Sequence, residues 1–316
     1  MKIQKICVLG GTGFVGRHLV ARLANRGYQV KVPTRHPQRH RDIAVLPGAE
    51  LVEADIHDPT VLLETFSGCH AVINLVGVLH EYPNQSFRAV HAELPAKVVE
   101  ACRAVGIKRL LHMSALHADA AKGPSQYLFT KGEGEQVAMR APDLAVTSFK
   151  PSIIFGPDDN FYNQFANMLK ALPVVPLACP NTRFAPVYIG DVAQAFEVAL
   201  ENEETVGKSY ELCGPRVYTF REILEDIARM LGLKRLVVGL PDSMARLQAK
   251  ILGLLPVKIF TTDNYLSLQV DSVCGCNGLE ALGITPHSVE SIMPMHFGGK
   301  TQRRKYDALR ESARRD

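Results

Sequence analysis

The 316-residue sequence predicts an α/β fold, a doubly wound parallel sheet with a smaller, mainly helical C-terminal lobe. Three observations predict it. Short apolar runs alternate with helix-length amphipathic stretches through the first half. The first run leads directly into a glycine-rich turn. After Pro151 the rhythm changes and prolines become frequent. Strands separated by helical stretches imply βαβ units, whose strands lie parallel.

Apolar runs at 6–9, 30–32, 51–52, 71–76, 110–113 and 145–149 read as the strands. After the first of them, Phe14, Val15, Leu19, Val20, Leu23 and Ala24 recur at helical spacing, and Asn25, Arg26 and Gly27 end the helix. A second strong helix is predicted over 89–105. Beyond Pro151, Pro157, Pro173, Pro176, Pro180 and Pro186 break the alternation. A helix over 190–201 and a strand over 209–213 read as late additions to the first domain. The expected organisation is a first domain over 1–154, completed by about 186–213. A smaller substrate or partner lobe takes 155–185 and 214–299, and a basic tail takes 300–316.

Composition narrows the class. With 47% hydrophobic residues the chain can bury a sizeable core, and no targeting signal is read at its start. No apolar run reaches the roughly 20 residues of a transmembrane span. Residues 300–316 carry seven Lys/Arg and three Asp/Glu, so the rest balances at 29 against 29. The basic excess is a tail, not a nucleic-acid-binding face. Such a tail is expected to be a solvated end, with an acidic partner or an anionic membrane as the alternative. The seven cysteines are scattered, and Cys274 and Cys276 form the one close pair. They read as reduced, mostly buried thiols of a cytoplasmic protein, peripheral at the inner face of a membrane at most. No metal site is expected. His36 and His40 lie four apart, but Pro37 intervenes and no third ligand is evident. Ala245, Leu247, Ile251, Leu252, Leu254 and Leu255 are expected to pack in the core, a partner- or membrane-facing helix being the alternative.

The strongest motif is Gly10-Gly11-Thr12-Gly13-Phe14-Val15-Gly16, between a predicted strand and a predicted helix. Glycines at 10, 13 and 16 let the chain turn off the strand, bring backbone close to a pyrophosphate, and pack the helix on the sheet. The helix N-terminus offers unpaired N–H groups and partial positive charge to phosphates. Gly10, Thr12, Gly13, Phe14, Val15 and Gly16 are the expected contacts of a Rossmann-type dinucleotide site. At the end of the second strand stand Thr34 and Arg35, with Arg39 and Arg41 behind and no carboxylate. A guanidinium fork suits a ribose 2′-phosphate, so NADP(H) is expected over NAD(H). A solvated basic loop is the alternative.

From these residues on, the chain resembles the short-chain dehydrogenase/reductase superfamily, in its extended and atypical, NAD-dependent epimerase/dehydratase-like branch. The resemblance implies an adenine contact at Asp55 and Ile56 and a cofactor-lining turn at Val76 and Gly77. It places Ser114 at the end of the fifth strand, and Tyr127 and Lys131 in a Y-x-x-x-K pair on a helix. It implies a nicotinamide-side turn at Pro151, Ser152 and Ile153. Three segments carry a closer likeness, to the NADPH-binding accessory subunit of respiratory complex I and its bacterial relatives. They are 151–161, 186–193 and 282–286.

Two functions follow from the resemblance. In the first, the chain is an NADPH-dependent oxidoreductase, or a related epimerase or dehydratase, acting on a small carbonyl, hydroxyl or quinone-like compound. Tyr127 would exchange the proton, Lys131 would lower the Tyr127 pKa from about 10 and hold the ribose, and Ser114 would orient the substrate oxygen. In the second, it holds NADPH without turnover, as a subunit or assembly factor of a membrane-associated respiratory complex.

Overall fold

The computed structural model describes residues 3–82, 85–255, 258 and 260–297. The basic tail, and with it the expectation that it is solvated, lies outside the described residues. The first half runs β1 (Lys5–Leu9), α1 (Phe14–Asn25), β2 (Gln29–Thr34), α2 (Arg41–Ala44), β3 (Ala49–Glu53), α3 (Pro59–Phe66), β4 (Ala71–Asn74), α4 (Leu94–Val105), β5 (Arg109–Met113), α5 (Gln126–Met139) and β6 (Ala145–Pro151). There follow β7 (Ile154–Phe155), α6 (Asn160–Ala171), β8 (Val174–Leu177), β9 (Arg183–Phe184), β10 (Val187–Tyr188), α7 (Ile189–Glu201) and β11 (Ser209–Leu212). The chain continues through β12 (Tyr218–Thr219), α8 (Phe220–Met230), β13 (Leu236–Gly239), α9 (Asp242–Gly253), α10 (Thr262–Ser267), α11 (Gly278–Ala281) and α12 (Val289–Phe297).

Seven strands form one parallel sheet in the order β11-β6-β5-β4-β1-β2-β3. The order reverses between β1 and β4, and both strands are fully buried along most of their length. One face is covered by α1 and α7, whose Leu19, Leu23, Phe196 and Leu200 pack on Ile6, Val8, Ile73 and Leu111. The other face carries α3, α4 and α5, with Leu62, Phe66, Val98 and Cys102 against Cys7, Leu9, Val72 and Leu110. Alternate residues of one strand serve opposite cores, as a period of two requires.

The predicted helix over 89–105 is broken. Residues Ala89–Glu93 form a π turn before α4 begins. Pro95 has no N–H to give the carbonyl of His91, which a regular helix would require. That carbonyl instead packs on α5, where any Cβ on Gly134 would collide with it. Single π turns of this kind recur at functional sites, and this one carries His91.

The C-terminal lobe has its own aromatic core, built from Phe155, Tyr162, Phe184, Phe220 and the apolar face of α8. It is helical, with three two-stranded ribbons, β10-β7, β12-β9 and β13-β8, that the sequence reading did not foresee. The expectation of reduced thiols is corrected at one pair: Cys213 and Cys274 form a disulfide with Cα atoms 6.0 Å apart. The two cysteines are far apart in sequence, so spacing gave no sign of it. Cys7, Cys69 and Cys102 are free and buried, and Cys276 is free and exposed. The expected core packing of 245–255 is also corrected. Ala245 and Ala249 are buried, but Leu247, Ile251, Leu254 and Leu255 are exposed. The alanines suffice to seat α9, and the larger side chains fall on its opposite side. No helix among the described residues is long and apolar enough to cross a membrane.

Candidate functional site

Because every strand of the main sheet runs the same way, the segments after β1, β2, β4, β5 and β6 emerge at one edge. A crevice at the carboxyl ends, where strand order reverses, is the place an open α/β sheet binds ligands. The glycine-rich turn sits there. Gly10 has φ +75°, a left-handed conformation that favours glycine, and an added Cβ would press to 3.2 Å from the Leu75 and Val76 backbone. At Gly16 a Cβ would collide with the Gly10 carbonyl and stand 2.5 Å from Gly11 Cα. Gly13 differs. Its backbone is extended, it is exposed, and an added Cβ would meet only the Gly10 oxygen, at 3.3 Å. The fold therefore dictates glycine at 10 and 16 and leaves 13 to what lies outside the turn. No side chain caps α1, and no acidic residue occupies its first turn. Phe14 rises beside this helix start, 3.4 Å from where a Cβ of Gly156 would be. Asp158, beyond β7, reaches Arg17 (2.9 Å) and His18 (2.8 Å) on α1.

At the end of β2, Thr34 is buried and accepts from the His36 N–H at 3.4 Å. Arg35 is exposed and has no hydrogen-bond or ion-pair partner among the described residues. Asp55, just beyond β3, accepts from the His57 N–H at 3.0 Å, and Ile56 packs on the core beneath α3.

After β4, Asn74 accepts from the Val76 N–H at 3.1 Å and turns the chain toward α5. Gly77 brings the turn close to the lysine: a Cβ there would sit 2.9 Å from Lys131 Nζ and push its head aside. Lys131 is buried and donates to the carbonyls of Met113 (3.0 Å) and Val76 (3.5 Å). Burial pulls its pKa from 10.5 down to about 8, against the pull of Glu135. The Val78 N–H donates to His91 Nε2 at 3.0 Å, while His91 Nδ1 lies 3.1 Å from Thr130 Oγ1. The Thr130 hydroxyl gives its own proton to the Gln126 carbonyl at 2.7 Å, so His91 Nδ1 is the donor and Nε2 the acceptor. Burial and the neighbouring Lys131 hold the His91 pKa down to about 2, so it stays neutral.

Tyr127 lies one turn before Lys131, its ring edge-on to His91 (5.4 Å between centroids) and to Phe87 (6.1 Å). Its hydroxyl has no hydrogen-bond partner among the described residues. Burial, and then the Asp263 carboxylate, push its pKa up to about 12. The expected lowering by Lys131 is thus reversed: the lysine spends its protons on two carbonyls, and burial dominates the phenol.

Two of the expected site residues have their hydroxyls engaged within the chain. The Ser114 hydroxyl is buried and donates to Glu135 Oε2 at 2.9 Å. Strand alternation turns residue 114 toward α5, where Glu135 follows Lys131 by one turn. The same carboxylate takes Ser209 Oγ (2.8 Å) and Lys150 Nζ (3.1 Å). The Ser152 hydroxyl is likewise committed, to the carbonyl and hydroxyl of Ser272 at 2.8 and 2.9 Å. The Ser152 N–H is engaged as well, with the Leu212 carbonyl at 2.9 Å. Pro151 ends β6 beside it, with its carbonyl taken by the Leu116 N–H (3.1 Å), and the Ile153 carbonyl accepts from Val187 (2.9 Å).

The sequence reading missed His91, Glu135 and Asp263. Tyr127, Lys131 and Glu135 fall on one face of a helix at intervals of four, which could have shown Glu135. Asp263 lies 136 residues from Tyr127 in sequence, and no local signal reveals it.

Residues 6–213 match the family described as the NAD dependent epimerase/dehydratase family. The chain belongs to that family. Among curated relatives, NADH dehydrogenase (ubiquinone) 1 alpha subcomplex subunit 9 of Rattus norvegicus is 30% identical, over 90% of this chain and 77% of that one. A ceramide reductase of Caulobacter vibrioides is 31% identical over 75% of this chain and 74% of its own. The solved UDP-glucose 4-epimerase of Thermus thermophilus, in complex with NAD, superposes with a TM-score of 0.71 at 22% identity. It covers 94% of this chain and 100% of that one. At that identity the likeness speaks for the fold.

The residues present fit the dinucleotide this family implies. Gly13 adds no side chain at an uncapped helix start, and Arg35 has no partner among the described residues at the end of β2. Phosphate oxygens are the acceptors such donors lack.

Proposed function

We propose that this member of the epimerase/dehydratase family is an NADPH-dependent oxidoreductase acting on a carbonyl or hydroxyl compound. The observation that carries the reading is the Tyr127 hydroxyl, without a hydrogen-bond partner among the described residues and one helical turn from Lys131. With a pKa near 12 the phenol is protonated at neutral pH, which suits it to give a proton to a carbonyl oxygen rather than to take one. The bound dinucleotide would supply the hydride. Arg35 would bind its 2′-phosphate, the amides at the start of α1 its pyrophosphate, and Lys131 its ribose. His91, fixed as a neutral acceptor, would hold the 76–78 turn against that ribose. The similarity to a ceramide reductase supports a reductase and brings long-chain carbonyl compounds into the substrate class.

A second reading is favoured by one specific observation. Ser114 gives its proton to Glu135, leaving Tyr127 as the one unengaged hydroxyl among Ser114, Tyr127 and Ser152. A site of that kind also suits a subunit that holds NADPH without turning it over, as does the 30% identity to a complex I accessory subunit. The deciding experiment is an NADPH oxidation assay against carbonyl compounds, long-chain ketones included, and quinones, beside a binding titration. Tyr127→Phe should lower turnover by about 10²–10⁴ while leaving affinity intact. Turnover at full rate in that variant rejects the role of Tyr127. NADPH that co-purifies without exchange, in a protein that turns over nothing, supports the holding role.

A further inference from the structure

The apolar side of α9 has no partner within the described chain. The helix seats itself through Ala245 and Ala249, which pack with Ala178 and Tyr265. On its other side Met244, Leu247 and Ile251 recur at steps of three and four, and Leu254 and Leu255 extend the row past the helix end. Their exposures are 54, 56, 56, 87 and 42%. Aligned exposed aliphatics on one helix are a different matter from scattered ones, because they add up to one patch.

Cations border the row. Lys250 is exposed and has no ion pair among the described residues. Arg246 lies on the same flank, and the one carboxylate of the helix, Asp242, is already taken by Arg246 at 2.9 Å. Lys258 follows, and it joins the row to the mouth of the site. Its Nζ donates to the Glu81 carbonyl at 2.5 Å and lies 5.8 Å from the Tyr82 ring. Tyr82 and Leu79, on the loop after β4, are themselves half exposed.

We propose that this face, Met244 to Leu255 with Leu79 and Tyr82, docks on an anionic phospholipid bilayer. The chemistry matches an interfacial helix: aliphatic side chains enter the acyl boundary while lysines beside them meet headgroup phosphates. Charge selects this occupant. A cation-flanked apolar row is complementary to an anionic lipid surface, whereas a second copy would bring the same cations against themselves. Docked this way, the loop that carries Leu79 and leads back to Gly77 and Lys131 faces the headgroups. The inference stands apart from hydride transfer, since it concerns where the protein sits.

The test is co-sedimentation of the full chain with vesicles of phosphatidylcholine alone and of phosphatidylcholine mixed with phosphatidylglycerol. The wild type should sediment with the mixed vesicles, and more weakly with the neutral ones. Leu247→Asp/Ile251→Asp should lower the partition coefficient about tenfold or more, with NADPH affinity unchanged as the control for folding. Leu254→Asp, at the most exposed position, serves if the double variant misfolds. Lys250→Glu should reduce binding to mixed vesicles alone. Wild-type protein that stays in the supernatant overturns the proposal. So does vesicle binding that survives the aspartates, which would assign it to the basic tail. A dimer in analytical ultracentrifugation that the double variant dissolves would give the face to a second copy and overturn it as well.

Discussion

Asp263, on α10 of the C-terminal lobe, accepts the backbone N–H groups of Gln126 and Tyr127 at 2.7 and 3.2 Å. Orphan amides of a helix start are usually capped from within the same segment. Here Ser125 takes only the Leu128 N–H (3.2 Å), and the lobe supplies the rest. Ser267 reinforces the contact, with its Oγ 2.8 Å from that of Ser125. The lobe thus fixes the start of the helix that presents Tyr127 and Lys131. Asp263→Ala should cost about 0.5–2 kcal/mol in chemical denaturation. It should also lower the Tyr127 pKa, because the carboxylate contributes to raising it. The phenolate titration, read as a difference against Tyr127→Phe, checks the second point; an unmoved pKa counts against the electrostatic contact.

Arg35 should decide between the two dinucleotides. Its guanidinium has no partner among the described residues, so removing it costs the fold nothing visible. Arg35→Ala should weaken NADPH binding by roughly 1.5–3 kcal/mol, the worth of a hydrogen bond to a charged group, and leave NADH nearly unchanged. Equal losses for both would show that Arg35 is only a solvated loop residue.

Gly13 and Gly16 should separate binding from folding. Gly16→Val drives a side chain into the Gly10 and Gly11 backbone, so soluble folded protein should be lost. Gly13→Val meets one carbonyl at 3.3 Å and should fold with a thermal midpoint near wild type. Its nucleotide affinity should nevertheless vanish, because the new side chain would occupy the place expected for the pyrophosphate. Unimpaired binding in Gly13→Val would reject that placement.

Lys131 should give the protein a pH signature. Its pKa falls from 10.5 to about 8 on folding, so between those values the unfolded chain binds more protons than the native one. Stability should therefore gain from this group as pH rises through that window, the burial cost of the charge being full below it. Denaturation of wild type and Lys131→Met, compared across the same range, isolates the contribution as a difference. Binding of an anionic dinucleotide should draw a proton back onto Lys131. Calorimetry near pH 8, in buffers of different ionisation enthalpy, should show uptake in wild type and none in the methionine variant.

The sheet was legible because its strands are buried on both faces and read as apolar runs between turns. The glycine turn was legible because it sits directly behind the first of them. Tyr127 and Lys131 were reached through the family resemblance, and helical spacing put them on one face. What sequence could not show was which partner each polar side chain would choose. Ser114 and Ser152 lie where a ligand-facing serine would lie, yet Glu135 and Ser272 claim their hydroxyls from other elements. The π turn at Ala89–Glu93 depends on Pro95 and Gly134 acting together across a helix pair. The ribbons of the lobe are short and two-stranded, and they leave almost no periodicity to read.

The Cys213–Cys274 bond, across 61 positions, turns the stretch containing β12, α8, β13, α9 and α10 into a covalent ring hung from the end of β11. A protease that cuts this ring once leaves a molecule of unchanged mass on a non-reducing gel and two fragments after thiol treatment. The helix bearing the exposed aliphatic row therefore cannot be shed by a single cut inside the ring. After one such cut, separation takes a reductant as well, and the electrophoretic pattern reports nick and reduction separately.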